Sequence, residues 1–189
     1  MTHLTLVLGD LADQHADALV NASNSWLLGA GGVDAAIHAR AGRALTEACR
    51  ELRASQYGRG LATGQSVATT AGRLNALWVI HTVGPRWDRN DDRSSLLASC
   101  YRTSLEVAAE LGARTVALPA ISTGTQRWPL DDAARIAVRT IRETLASWEK
   151  SRTPGRRGAG EGTIEEVRFV LFDQRAYTAF ETAMAALDG

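Results

Sequence analysis

Short apolar, β-branched runs alternate with longer amphipathic stretches along most of this chain, and that alternation constrains its fold more than any other feature. Leu4–Leu8 and Ala18–Ala22 are compact runs bounded by polar residues or glycine, as expected of buried strands. Gly32–Ala41 and Ala44–Arg53 read as helices broken at Gly42. Ser66–Ala71 and Leu77–Val83 read as a strand pair joined by the Gly72–Asn75 turn, with Gly84-Pro85 closing the second strand. Ser94–Leu111 is a long helix with Leu97, Tyr101, Leu105 and Ala108 on one face. Thr115–Ile121 is another buried strand, and Pro129–Trp148 a helix opened by proline, with Asp131 and Asp132 in its first turn. Val167–Phe172 and Ala176–Leu187 supply a last strand and helix. This order predicts the α/β class: a three-layer α/β/α sandwich around a mixed, mostly parallel central sheet. The 189 residues suit one domain, with a flexible surface loop over Ser151–Gly162, a second polar loop over Trp87–Ser95, and no internal repeat.

Composition then removes several function classes. With 45% apolar and 22% charged residues the chain is no disordered tail or fibrous repeat. Its 21 bases balance 21 acids, which leaves no basic footprint for duplex DNA or an anionic membrane. No apolar run approaches the roughly 20 residues needed to span a bilayer. MTHLTLVLGD has no basic segment ahead of its apolar stretch, so no signal peptide is expected. Cys49 and Cys100 lie in helical segments without CxxC spacing, and a reduced, cytoplasmic protein is the expectation. Lys150 is the only lysine, so there is no Walker A loop and no credible Schiff-base site. No Cys/His pattern points to a metal, and no cofactor is expected.

Two loops are unusual. In sheets of this kind ligands bind beyond the carboxyl ends of strands, where loops lead into helices. Asn21–Asp34 (NASNSWLLGAGGVD) leaves the second strand, passes three glycines in four positions and enters a helix. Glycines let backbone approach a ligand closely, and a helix N-terminus presents unpaired N–H groups, so phosphate is the natural guest; a plain glycine-rich turn is the alternative. Ile121–Pro129 (ISTGTQRWP) also joins a buried strand to a helix, and its small hydroxyl residues and glycine suit an anion. Facing each other, the two loops would grip a diphosphate without lysine or metal.

Leu8-Gly9-Asp10, Val20–Asn24 (VNASN), Leu27–His38 (LLGAGGVDAAIH), Val79–Pro85 (VIHTVGP) and Leu118–Gly124 (LPAISTG) resemble, in order and over most of the chain, the macrodomain family. The resemblance is greatest to its branch that hydrolyses ADP-ribosyl linkages and removes acetyl from O-acetyl-ADP-ribose. It implies a macrodomain-like fold, ADP-ribose or an ADP-ribosylated target as ligand, and hydrolysis at the distal ribose. It implies that Asp10 accepts a hydrogen bond from the adenine amino group, beside Leu11, and that Phe172 covers the adenine ring. Asp10 can equally cap the segment after it, and Phe172 can equally be a core residue. It further implies that Gly31, Gly32 and Val33 bind the diphosphate from one side, and Ile121, Ser122, Thr123, Gly124, Thr125 and Gln126 from the other. Asn24 would hold the distal ribose, while Asn21 is expected to brace the loop backbone. Asp34 and His38, four residues apart on one helix face, would carry catalysis together with Asn24: Asp34 positions or activates water, and His38 orients Asp34 or exchanges a proton with it. A helix-dipole acid and a packing histidine are the bland alternatives for this pair. His81, mid-strand, is expected to be a core hydrogen-bonder.

Departures from the family pattern bear on the substrate. Thr125, Gln126 and Arg127 stand where an apolar residue, an aromatic and a glycine are usual, Ala30 replaces a glycine, and Trp26 replaces a small polar residue. Gln126 and Arg127 would suit a larger or more anionic target. A non-catalytic ADP-ribose-binding module, and a hydrolase for ADP-ribosylated nucleic acid, are therefore the alternatives to a protein-directed hydrolase. The chain is expected to act as a monomer.

Overall fold

The computed structural model describes residues 1–151 and 164–189. In chain order these form β1 (His3–Leu8), β2 (Ala18–Ser23), α1 (Gly32–Ala41), α2 (Arg43–Ser55), β3 (Ser66–Thr70), β4 (Trp78–Val83), α3 (Ser94–Glu110), β5 (Thr115–Leu118), α4 (Leu130–Ser151), β6 (Glu166–Leu171) and α5 (Gln174–Asp188). A 3-10 turn, Leu11–Asp13, follows β1. The sheet order is β1-β6-β5-β2-β4-β3, with every neighbouring pair parallel except β3 and β4, the turn-linked pair.

Strand alternation distributes the core between two layers. Leu19, Val79, Ala117 and Val170 pack with Ile37, Leu45 and Cys49 of α1 and α2. Their sequence neighbours Ala18, Val20, Ile80, Val116, Leu118, Phe169 and Leu171 pack with residues of α3, α4 and α5. Burying each such leucine, valine or isoleucine contributes about 1.5–3 kcal/mol. Phe169 anchors the second layer, 4.9 Å from the Phe180 ring and 6.1 Å edge-on from Tyr101. The α/β/α sandwich with a mixed, mostly parallel sheet is thus the observed architecture.

Some element ends differ from the sequence expectation. The β5 ladder stops at Leu118 and not Ile121, because Pro119 has no N–H to continue it. Helix α4 starts at Leu130, with the Pro129 carbonyl accepting from Ala133 N at 2.9 Å, and runs three residues past Trp148. Strand β6 ends at Leu171, which leaves Phe172 outside it and 81% exposed, so the core alternative for Phe172 is excluded. Of the loop expected over Ser151–Gly162, Ser151 closes α4, and the rest lies outside the described residues.

Candidate functional site

Five of the six strands point one way, so their carboxyl ends share one rim, and the sheet order decides which segments meet there. Asp10 follows β1 and Phe172 follows its neighbour β6. Residues 119–129 follow β5, residues 24–31 follow β2, and residues 84–93 follow β4. From β1 to β2 is three inter-strand steps, about 14 Å, so the rim suits an elongated ligand.

The loop after β2 is held open by an unusual backbone. Gly29, Gly31 and Gly32 have φ of 72°, 59° and 58°, and α1 begins at Gly32 with Gly31 at its N-cap and no side-chain cap. A Cβ at Gly31 or Gly32 would meet nothing within 4 Å, so both positions border open space beside an uncapped helix N-terminus. Gly29 is different: its Cβ would fall 2.7 Å from Cγ of His38, because the loop backbone lies directly on that ring. Asn24 stiffens the turn by accepting from Trp26 N at 3.0 Å and Leu28 N at 3.4 Å through Oδ1. Leu27 is buried with φ 56°, while Trp26 is about half exposed.

The loop after β5 is held by its own backbone. Trp128 N donates to the Ser122 carbonyl at 2.8 Å and Arg127 N to the Gly124 carbonyl at 3.0 Å. Gly124 is exposed and its Cβ would meet nothing, and the N–H groups of Gly124, Thr125 and Gln126 bond to no described residue. Two anchors lie beneath. Buried Tyr101 accepts from Ile121 N at 3.0 Å, with burial pushing its phenol above the ordinary range, and Trp128 Nε1 donates to Asp132 at 2.8 Å. Ser122 and Arg127 have φ of 66° and 59°, so all three non-glycine residues of positive φ among those described lie in these two loops. Strain of that kind persists where surrounding structure enforces it, and clusters at binding sites. Trp87 N, after β4, donates to the Gln126 carbonyl at 2.9 Å and ties a third segment to this loop. A Cβ on Gly84 would overlap Ser122 Oγ, so this crossing needs glycine.

Behind the β2 loop lies a polar cluster that the sequence scatters over five elements. Asp34 is 2% exposed; its Oδ2 accepts from Ala30 N at 3.1 Å and its Oδ1 from Asn21 Nδ2 at 2.7 Å. Asn21 therefore braces side chains, not the loop backbone it was expected to satisfy, because its position in β2 turns it inward beneath α1. The same Nδ2 lies 3.1 Å from His81 Nδ1, across the β2–β4 register. His81 Nε2 lies 2.9 Å from Thr69 Oγ1 and 3.7 Å from Cys49 Sγ, which makes it the core hydrogen-bonder expected. His38 Nε2 is 3.3 Å from Asp34 Oδ1 but is not aimed for a hydrogen bond, and its Nδ1 is 3.4 Å from Thr46 Oγ1.

Burial dominates the electrostatics here. It lowers the His81 pKa to about 4, against the pull of the Asp34 charge, so the ring is neutral at pH 7. Burial, reinforced by Asp34, pushes the Cys49 thiol up to about 11. Donor atoms of His38, Cys49 and His81 come within 4.8 Å of one another, a juxtaposition the sequence spacing does not reveal. Both His81 nitrogens already have partners and the thiol is far from ionised, so the trio does not read as a set of metal ligands.

The remaining expected site residues fall as follows. Asp10 caps the 3-10 turn through Oδ1, accepting from Ala12 N at 2.9 Å, which leaves Oδ2 free. Leu11 and Ile121 are buried beneath the rim, and Val33, Thr123 and Gln126 are half-buried. Tyr101, Thr69, Gly29 and Gly84 are contributors that sequence reasoning did not single out as site residues; only the glycines carried a local signal, as candidates for unusual backbone.

Comparison with known proteins agrees with this layout. The family model described as Macro domain matches residues 20–137. A macro domain-containing protein of Streptomyces nogalater is 62% identical over 180 residues, covering 95% of this chain and 91% of that one. The Oceanobacillus iheyensis macrodomain with ADP superposes with a TM-score of 0.86 at 35% identity, over 99% of this chain and 92% of that one. The Trypanosoma brucei macrodomain in complex with ADP-ribose gives 0.79 at 33% identity, over 96% and 69%.

Proposed function

The chain belongs to the macro domain family, and from that premise we propose that it binds ADP-ribose along the rim and hydrolyses a bond at the distal ribose. The substrate is an ADP-ribosylated protein side chain or O-acetyl-ADP-ribose. The observation that carries the reading is the pair of loops over adjacent strands β5 and β2, one with N–H groups at Gly124–Gln126 that bond to no described residue, the other a helix start at Gly31 and Gly32 without a side-chain cap. A diphosphate between them would be held by main-chain donors and the positive end of α1.

The rest of the ligand follows from the strand order. Adenine would lie over β1 and β6, with its amino group donating to the free oxygen of Asp10 and Phe172 covering the ring. The distal ribose would lie over β2, where the unengaged Nδ2 of Asn24 is available to a hydroxyl. Asp34 supplies the negative charge beneath that position, one hydrogen bond (from Ala30) below an exposed loop. In the reaction, water's oxygen bonds to the acyl or anomeric carbon, the bond from that carbon to the leaving oxygen or nitrogen breaks, and the water's proton passes to the leaving atom directly or through a neighbouring base.

A second reading, a binding module without turnover, is favoured by one observation: both Asp34 oxygens are occupied and the side chain is sealed from solvent. Two measurements separate them. Calorimetric titration with ADP-ribose should show binding that Asp10→Ala weakens by about 1–3 kcal/mol. Incubation with a panel of ADP-ribosylated acidic, arginine, serine and nucleic-acid substrates, and with O-acetyl-ADP-ribose, should release ADP-ribose or acetate from at least one. Binding without any release would leave the module reading standing and remove the hydrolase.

A further inference from the structure

We propose that His81 is a positioning residue for the hydrolysis: its bare Nδ1 holds the Asn21 amide in the one orientation that presents N–H to Asp34. This inference rests on the hydrolase reading above. An ionised carboxylate accepts and cannot donate, so the Asn21 atom 2.7 Å from Asp34 Oδ1 is the amide nitrogen. That nitrogen has a second hydrogen, and His81 Nδ1 lies 3.1 Å away. His81 must then carry its proton on Nε2, where Thr69 Oγ1 receives it at 2.9 Å and passes its own hydrogen to the Thr70 carbonyl at 3.0 Å. The direction of every bond in this chain, from Asp34 through Asn21 and His81 to the backbone of β3, is thereby determined.

Two further facts support it. Asn21 Oδ1 is buried without any partner among the described residues, so the amide leaves its own acceptor unmatched in order to serve two acceptors with its nitrogen. His81 is fully buried beside Asp34 and His38 of α1 and Cys49 of α2, and that burial keeps its ring neutral against the pull of the Asp34 charge, so with the proton on Nε2 its Nδ1 is an acceptor. Without that acceptor the Asn21 amide is free to turn its oxygen to Asp34, which repels the carboxylate from the position that Ala30 N and the loop require.

The test compares wild type, His81→Leu and His81→Asn on a substrate that wild type cleaves, with ADP-ribose affinity measured alongside. Leucine removes the acceptor, whereas asparagine can place its oxygen near the former Nδ1. His81→Leu should lower kcat by about 10- to 100-fold with KM and the ADP-ribose Kd changed less than twofold. His81→Asn should restore most of the lost turnover. Equal losses in both variants, tracking their Tm, would mean a purely structural role and overturn the proposal. Nitrogen NMR of the wild-type histidines provides a readout independent of folding: a neutral Nε2–H ring supports the assignment, and an Nδ1–H or charged ring at pH 7 ends it. A wild type that cleaves nothing takes down the hydrolase reading and this role with it. An active wild type with a fully active His81→Leu removes this role alone.

Discussion

The two rim loops do similar work with different materials. The β2 loop is held by side chains: Asp34 on Ala30, Asn24 on Trp26 and Leu28, and the His38 ring under Gly29. The β5 loop is held by its own backbone bonds and by two buried aromatic anchors, Tyr101 and Trp128. The first loop therefore depends on ionisable groups in a buried polar cluster, and the second on packing and main-chain geometry. A site built this way has one loop braced by polar side chains and one braced by its own backbone bonds and aromatic anchors.

The largest expected effect is on the charged side. Asp34→Ala removes the acceptor for both Ala30 and Asn21, and turnover should fall by about 10²-fold or more while ADP-ribose still binds. A variant as fast as wild type, on a substrate wild type cleaves, would take Asp34 out of the mechanism. Next, Gly29→Ala should cost about 1–3 kcal/mol in chemical denaturation, since its φ of 72° and the His38 ring both oppose a side chain. Gly124→Ala in the other loop should stay within about 0.5 kcal/mol yet weaken ADP-ribose binding, because its Cβ would enter only open space. Equal stability losses at the two glycines would erase the contrast.

Tyr101→Phe tests the hydrogen bond of the aromatic anchor. It strands the buried N–H of Ile121 and should cost about 1–3 kcal/mol, read as a lower Tm, with ADP-ribose affinity reduced. An unchanged Tm would show that the β5 loop stands without it. The smallest effect is pH-dependent. His81 takes a proton below about pH 6.5 when unfolded but only below about 4 when folded, so stability is full above 6.5 and falls as pH drops toward 4. Between pH 7 and 5.5 this amounts to about 1 kcal/mol, measured as the difference between wild type and His81→Leu. Identical pH profiles would mean that His81 is not buried neutral.

Much of this was legible beforehand. Runs such as Ala18–Ala22 and Leu77–Val83 are apolar on both faces, which only a covered sheet accommodates, and Gly42 and Pro129 marked helix limits through backbone chemistry alone. The glycine-bearing turn of the β2 loop was legible for the same local reason, since positive φ favours glycine at Gly31 and Gly32. Cys49 and Thr69 were not, because each is unremarkable in its own segment, while Asn21 and His81 were legible as a brace and a core hydrogen-bonder but not the partners that the fold gives them.

The chain's pattern of apolar periods and backbone-special residues determined the layers, the strand and helix sequence and where a ligand could approach, since these follow from interactions among near neighbours. Which strands stand side by side was settled only in three dimensions. That order put Asp10 next to Phe172, set the two loops over adjacent strands, and drew Asn21 and His81, sixty residues apart, to 3.1 Å. Hydrogen bonds at that range depend on orientation to a few tenths of an ångström, and no spacing along a chain encodes that.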